Sequence, residues 1–213
     1  MIIAVVATKG GVGKSTTALQ LAIGLSLAGD RVWLVDGDRQ ETSLSAITLR
    51  AESGRPALAA SAYPHGATLR TQVGVQVARY NHVVIDAGGQ DSTALRAALT
   101  VADVALVPFV PRSFDVWAAQ PIADLIDEAR GVNALRALAF LNQADVSGPD
   151  NRDAAAALRE FSAFDLLDFR LTRRKAFSNA AAAGLHVEEM ARRDPSACAE
   201  ADRLLNAVLA SKR

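Results

Sequence analysis

Two lysines, Lys9 and Lys14, stand in the stretch ATKGGVGKST (Ala7–Thr16). Its end, Gly13-Lys14-Ser15, completes the phosphate-binding pattern G-x-x-x-x-G-K-[ST], but the first glycine of that pattern falls on Thr8. Glycines in such a turn let backbone N–H groups face phosphate oxygens, and a helix that starts there adds a favourable dipole. Lys14 is placed to reach the β- and γ-phosphates, and Ser15 to put its hydroxyl on Mg2+. Lys9 has no part in the ordinary pattern. The loop is either an imperfect match or a different loop that uses two lysines.

Other candidates sit where apolar runs end. Asp86 closes HVVID (His82–Asp86), and a carboxylate there can hold Mg2+ through water or simply cap a turn. Gly88 and Gly89 follow and could shift on contact with a γ-phosphate. Asp36 and Asp38 lie in VDGDRQ. One could orient an attacking water or support the metal, or the pair could be turn chemistry. Asn142, in LNQAD, offers a donor and an acceptor to a purine edge, or is a turn residue.

These residues need elements to hold them. Ile2–Ala7 is a continuous apolar run, the pattern of a strand buried on both faces. After the glycine loop, Leu19, Ala22, Ile23, Ser26 and Leu27 recur at helical spacing, with Gly29 as the stop. Arg31–Asp36 is a second strand, which makes one βαβ unit. Further strands are expected at His82–Asp86, Asp103–Val110 and Arg136–Leu141, with a helix over Phe114–Ala129. Between Arg50 and Gln76 the period is diluted; a short strand at Pro56–Ala60 and a helix after Gly66 are expected. Asp194-Pro195 reads as a helix cap, followed by a stripe of Ala197, Ala201, Leu204, Leu205, Val208 and Leu209. The expected fold class is α/β: a doubly wound, mainly parallel sheet with helices on both faces, in one domain over 1–213.

Composition narrows the function. The net charge of the 213 residues is zero, so contact with nucleic acid or an anionic membrane needs a local patch. One cysteine, Cys198, rules out an intrachain disulfide, and three scattered histidines argue against a metal cluster. No stretch approaches the ~20 apolar residues of a membrane span, and a soluble cytoplasmic protein is expected. Lysine occurs only at 9, 14, 175 and 212, against a background of arginine. Arg170, Arg173, Arg174, Lys175, Arg192 and Arg193 face only Glu188 and Glu189 within their segment. That is either a phosphate-binding patch or a solvated helix face.

KGGVGKST (Lys9–Thr16) resembles the deviant Walker A loop of the ParA/MinD superfamily of P-loop NTPases. VDGDRQ resembles that family's first switch, and VVIDAGG its Walker B strand and second switch. VPFVPRSFD (Val107–Asp115) resembles its segment near the nucleotide base, and RRKAFSNAAAAGLHVEE (Arg173–Glu189) its C-terminal arginine-rich segment. The resemblance implies an ATP hydrolase with ATP and Mg2+ as cofactors. It implies that Lys9 crosses a two-fold interface to the partner's ATP, so that the ATP-bound form is a homodimer. It assigns phosphate binding to Gly10, Gly11, Val12, Gly13, Lys14, Ser15 and Thr16, and Mg2+ to Ser15 and Asp86. Asp38 would be the hydrolytic switch carboxylate, and Pro108, Pro111 and Asn142 would lie near adenine. The family's D-P-Q is Asp38-Arg39-Gln40 here, which leaves the shape of the first switch open.

The sequence starts directly at the first strand, without a helix-turn-helix extension. It is therefore most similar to the small, ParF-like partition ATPases. That group implies nonspecific DNA binding by the ATP dimer, a ParB-like centromere-binding adaptor that stimulates hydrolysis, and association with the nucleoid. The cargo would be a plasmid, a chromosome or a protein assembly. A MinD-like membrane-associated ATPase needs an amphipathic anchor helix, and the closing helix reads better as a core face. A metabolic P-loop enzyme needs a second substrate site, and none is visible in the sequence.

Overall fold

The computed structural model describes residues 1–89, 92–111 and 116–211, and no side chains at 116–118. Gln90, Asp91, Arg112–Asp115, Lys212 and Arg213 lie outside the described residues.

The strands are β1 (Ile2–Val5), β2 (Val32–Asp36), β3 (Ala59–Ala62), β4 (His82–Asp86), β5 (Val104–Phe109), β6 (Arg136–Ala144) and β7 (Asp165–Thr172). The helices are α1 (Lys14–Leu27), α2 (Thr42–Glu52), α3 (Gly66–Gln76), α4 (Thr93–Val101), α5 (Val116–Arg130), α6 (Pro149–Leu158), α7 (Lys175–Ala182) and α8 (Pro195–Ala210). One sheet has the order β3-β2-β4-β1-β5-β6-β7, and every described pairing is parallel. Parallel neighbours need crossovers, and the helices supply them on both faces. This is the doubly wound fold expected from the alternation of strands and helices.

Successive strand residues face opposite sides, so β1 feeds two cores. Ala4 packs with Trp33, Val35, Leu95 and Ile122 on one face; Ile3 and Val5 pack with Leu19, Leu34, Phe140 and Leu204 on the other. The stripe on α8 belongs to the second core: Ala197, Ala201, Leu204 and Val208 are buried. Its apolar face is therefore used inside the protein. Among the described residues no helix is long and apolar enough to cross a membrane.

Several boundaries differ from expectation. The weak strand expected at Pro56–Ala60 lies at Ala59–Ala62, beside β2 at the sheet edge. β6 runs on past Leu141 to Ala144 and so overhangs β5, whose last pair is Phe109 with Leu141. The helix expected from Phe114 is described from Val116 to Arg130. Gly29 follows the α1 cap with φ 96°, and Asp194 caps α8 by accepting the N–H of Ser196 at 3.0 Å and Ala197 at 3.2 Å. The segment 170–193 is not one helix face: it runs through β7, a turn, α7 and a short 3-10 turn at Val187–Glu189.

β1 lies between β4 and β5, so the winding direction reverses beside it. Doubly wound sheets bind ligands in the crevice at the carboxyl ends of the strands around such a point. The loop from Val6 to Gly13 leaves β1 there.

Candidate functional site

The glycine loop enters α1 with Gly13 in the left-handed region at φ 89°. A Cβ on Gly13 would come within 2.4 Å of the Asn142 Nδ2 atom, so both φ and space demand glycine. Asn142 Nδ2 donates to the Val12 carbonyl at 2.7 Å, and Gln143 Nε2 donates to the Gly11 carbonyl at 2.8 Å. The overhanging end of β6 thus braces the loop by its carbonyls. Gln143 itself has φ 51°, an uncommon conformation for a residue with a side chain. The start of α1 has no side-chain cap and no acidic residue in its first turn, which leaves the positive end of the dipole for an anion. The Lys14 Nζ atom lies 3.5 Å from where a Cβ on Gly89 would sit, so it spans toward the loop after β4. Lys9 is exposed.

Asp86 ends β4 almost wholly buried. Its Oδ2 accepts a short hydrogen bond from the Ser43 hydroxyl, while Oδ1 has no hydrogen-bond partner among the described residues. Burial pushes its pKa up to about 6; the Ser43 and Ser15 hydroxyls and the Lys14 charge pull the other way. A buried carboxylate oxygen without a donor, next to a serine hydroxyl, fits a hard cation with oxygen ligands. Ser15 and Asp86 are therefore the residues that would hold Mg2+, which would neutralise charge on the phosphates.

The two aspartates of VDGDRQ have separate tasks. Asp36 accepts from the backbone N–H groups of Asp38 at 2.9 Å, Ser43 at 2.8 Å and Leu44 at 3.0 Å. Burial raises its pKa, and these donors oppose the rise. It shapes the turn and caps α2 from a distance, which is the turn-chemistry alternative. Asp38 is half-buried; it accepts from Gln40 N–H at 3.0 Å and from Gly89 N–H at 3.4 Å. The first switch is thereby joined to the glycines after β4. Gly88 allows this: a Cβ there would meet the Gly37 carbonyl at 2.8 Å.

Beside the loop is a cavity of about 520 Å3, lined by Gly13, Thr16, Thr17, Gln20, Asn142 and Gln143 on one side and by Leu171 to Lys175, Phe177 and Ser178 on the other. Its size suits a nucleoside. Asn142 lines it. Pro108 and Pro111 are not among its lining residues. Pro108 pairs inside β5 with Phe140, two residues short of Asn142, and β6 reaches beyond it. Thr17, which sequence reasoning missed, is 1% exposed on this wall with its Oγ1 unpartnered. Its only sequence signal is a place one helical turn after Gly13.

The cationic cluster does not hold together. Arg174 pairs with Asp194 at 3.3 Å and Glu200 at 3.3 Å, so it is an internal brace for α8 and not a free phosphate ligand. Arg173 and Lys175 are exposed at the rim of the nucleoside-sized cavity. Arg170 faces a different groove, and Arg192 and Arg193 are exposed ahead of α8.

A model of the family described as the CobQ/CobB/MinD/ParA nucleotide-binding domain matches residues 3–187. The chain belongs to this family. It is a ParA/MinD-type ATP hydrolase whose cofactors are ATP and Mg2+. It is 28% identical over 213 residues to maintenance of carboxysome distribution protein A of Halothiobacillus neapolitanus, covering 98% of this chain and 96% of that one. Its fold is similar to the apo McdA structure from Cyanothece, with a TM-score of 0.77 and 15% identity over 97% of this chain and 98% of that one. It is also similar to a plasmid partition protein of Borrelia burgdorferi, with a TM-score of 0.68 and 18% identity over 98% and 97% of the two chains.

Proposed function

We propose that this protein is a ParA-like positioning ATPase. Its ATP-bound homodimer holds DNA without sequence preference, and a ParB-like adaptor stimulates hydrolysis and release, which moves the adaptor's cargo. The observation that carries the reading is the contrast between two lysines of one loop: Lys14 spans the cradle toward Gly89, while Lys9 is solvent-exposed. A cation there is placed to enter another subunit's nucleotide site, where it would offset charge that develops during phosphoryl transfer. In this scheme Gly10 to Thr16 bind the phosphates, Ser15 and Asp86 hold Mg2+, and Asp38 serves hydrolysis through its contact with Gly89.

The full-length similarity to a carboxysome distribution protein favours a protein assembly as cargo. A plasmid cargo is the alternative that the Borrelia fold keeps in view. The protein would then associate with the nucleoid. The test is Lys9→Ala with a non-hydrolysable ATP analogue and Mg2+. The variant should bind the analogue yet remain monomeric by light scattering, whereas the wild type dimerises. A normal dimer in the variant would remove the basis of the reading.

A further inference from the structure

Three arginines that are scattered in the sequence converge away from the nucleotide site. Arg152 lies on α6, Arg159 follows its last turn, and Arg170 lies on β7, the outermost strand of the sheet. They line one groove of about 240 Å3 together with Asn151, Asp168 and Phe169. A second hollow of about 410 Å3 shares Asn151, Arg152 and Arg170 and continues past Ser147 to Pro149. The two make a single trough along α6 and β7, longer than one phosphate needs.

The charges there are left open. Arg50, Arg96, Arg130, Arg136 and Arg174 each have a carboxylate within 4 Å. None of the three trough arginines has one among the described residues, and Arg170 makes one hydrogen bond, to the Val146 carbonyl at 2.8 Å. A second feature points to a ligand. Asn151 is 7% exposed, donates to the Asp145 carbonyl at 2.8 Å and leaves its Oδ1 without a partner where the two hollows meet. That buried, unmatched oxygen lies beneath the floor that both hollows share. α6 also begins here, with Gly148 as an N-cap that has no side-chain bond. Asp168 in the trough and Asp150 and Asp153 on α6 limit the net charge, so moderate rather than strong binding is expected.

We propose that this trough binds the sugar-phosphate backbone of duplex DNA through Arg152, Arg159 and Arg170. The inference rests on the DNA-binding reading above and gives it a location. It replaces most of the linear cluster: Arg174 is paired internally, and Arg173 and Lys175 border the nucleotide cavity. The trough and that cavity share no lining residue, so DNA and nucleotide can be bound together.

The experiment uses the full chain with ATP analogue and Mg2+, random-sequence duplex DNA and a salt series. Three proteins are compared: wild type, Arg152→Gln/Arg159→Gln/Arg170→Gln, and Arg192→Gln/Arg193→Gln. The triple variant should lose about tenfold or more in affinity near physiological salt, and each lost phosphate contact should reduce the salt slope by about 0.9. Its ATP-dependent dimer should form normally, and the double variant should stay close to wild type. Single Arg159→Gln is the fallback should the triple variant fold poorly; it should lose about one contact's worth of slope. Wild-type binding with an unchanged triple variant, or loss in the double variant alone, overturns the trough and leaves the DNA reading intact. No binding by wild type overturns both.

Discussion

The two ends of α2 each meet a buried charge, and they treat it in opposite ways. At the first turn, Ser43 donates to Asp86, which keeps an Oδ1 without a hydrogen-bond partner among the described residues. At the last turn, Arg50 is 1% exposed and fully engaged. It makes bonds of 2.6 and 3.0 Å to the two Glu189 oxygens and donates to the carbonyls of Pro56 and Gly184. Burying a charge is costly unless it is paired and hydrogen-bonded. The Arg50 end is completed by the protein itself and reads as architecture. The Asp86 end leaves a buried oxygen unmatched and reads as a candidate site. One helix therefore links the aspartate that would hold Mg2+ to the C-terminal segment that carries Glu189.

Breaking the completed end should have the largest effect. Glu189→Gln leaves the Arg50 guanidinium buried against a neutral amide, and losing one partner of a buried pair costs about 3–5 kcal/mol. Burial works to raise the Glu189 pKa, but the hydrogen bonds from Arg50 and the His186 N–H outweigh it and hold the carboxyl below its ordinary value. A depressed carboxyl contributes stability at neutral pH that is lost as pH falls through its folded pKa. Urea unfolding should show a large loss for Glu189→Gln at neutral pH that shrinks in acid. An equal loss at all pH values would mean that packing, not the ion pair, holds this end.

The open end should show the opposite dependence. Asp86 sits near 6 when folded, against 3.8 for an ordinary aspartate. Below pH 3.8 it is neutral in both states, and between those values the folded protein alone keeps the proton. Its contribution to stability therefore falls as pH rises and levels off above pH 6, a penalty of about 3 kcal/mol. Asp86→Asn should remove that slope from the nucleotide-free protein, so wild type and variant diverge between about pH 3.8 and 6 and run parallel above. Mg2+ with ATP should offset the penalty in wild type and do little for the variant. A variant with the wild-type slope would place the pH response elsewhere.

The sequence was most legible where function is written in contiguous residues. Lys14, Ser15 and Asp86 end strands or start a helix within recognisable runs, and β1, β2, β4 and β5 are apolar enough to be found to within two residues. Edge strands were harder. β3 is a half-exposed Ala-Ala-Ser-Ala, and β7 mixes Asp and Arg into its apolar positions because one side faces solvent. Helix α2 was not read at all, since its cap comes from Asp36 and its anchor from Glu189, 139 positions away from Arg50. The same holds for the brace from Asn142 and Gln143, the pairing of Arg174, and the trough arginines. Each depends on which distant elements the sheet order makes neighbours, and periodicity carries no record of that order.

The smallest effect should come from the turn that leads into α2. Glu41 stands where the helix begins, at φ 50° and ψ 36°, with its side chain exposed and making no cap bond. Its N–H reaches the Asp38 carbonyl at 3.2 Å, and its carbonyl accepts from Ser45 at 2.9 Å, so the backbone is fixed on both sides. A left-handed residue with a Cβ costs roughly 1–2 kcal/mol. Glycine removes that cost but adds unfolded-state freedom of about 0.5–1 kcal/mol. Glu41→Gly should therefore stabilise by less than about 1 kcal/mol, a rise of about 2–4 °C at most in thermal melting for a chain of this size. Glu41→Asn, which tolerates the same backbone, should fall between the two. Because neither change touches Ser43 or Arg50, the difference between the two ends of α2 should survive: the Asp86 pH response and the Glu189 loss should keep their sizes. If glycine instead lowers stability, the Glu41 carboxylate beside the start of α2 contributes more than its backbone costs, and the first switch is held by charge rather than by turn geometry.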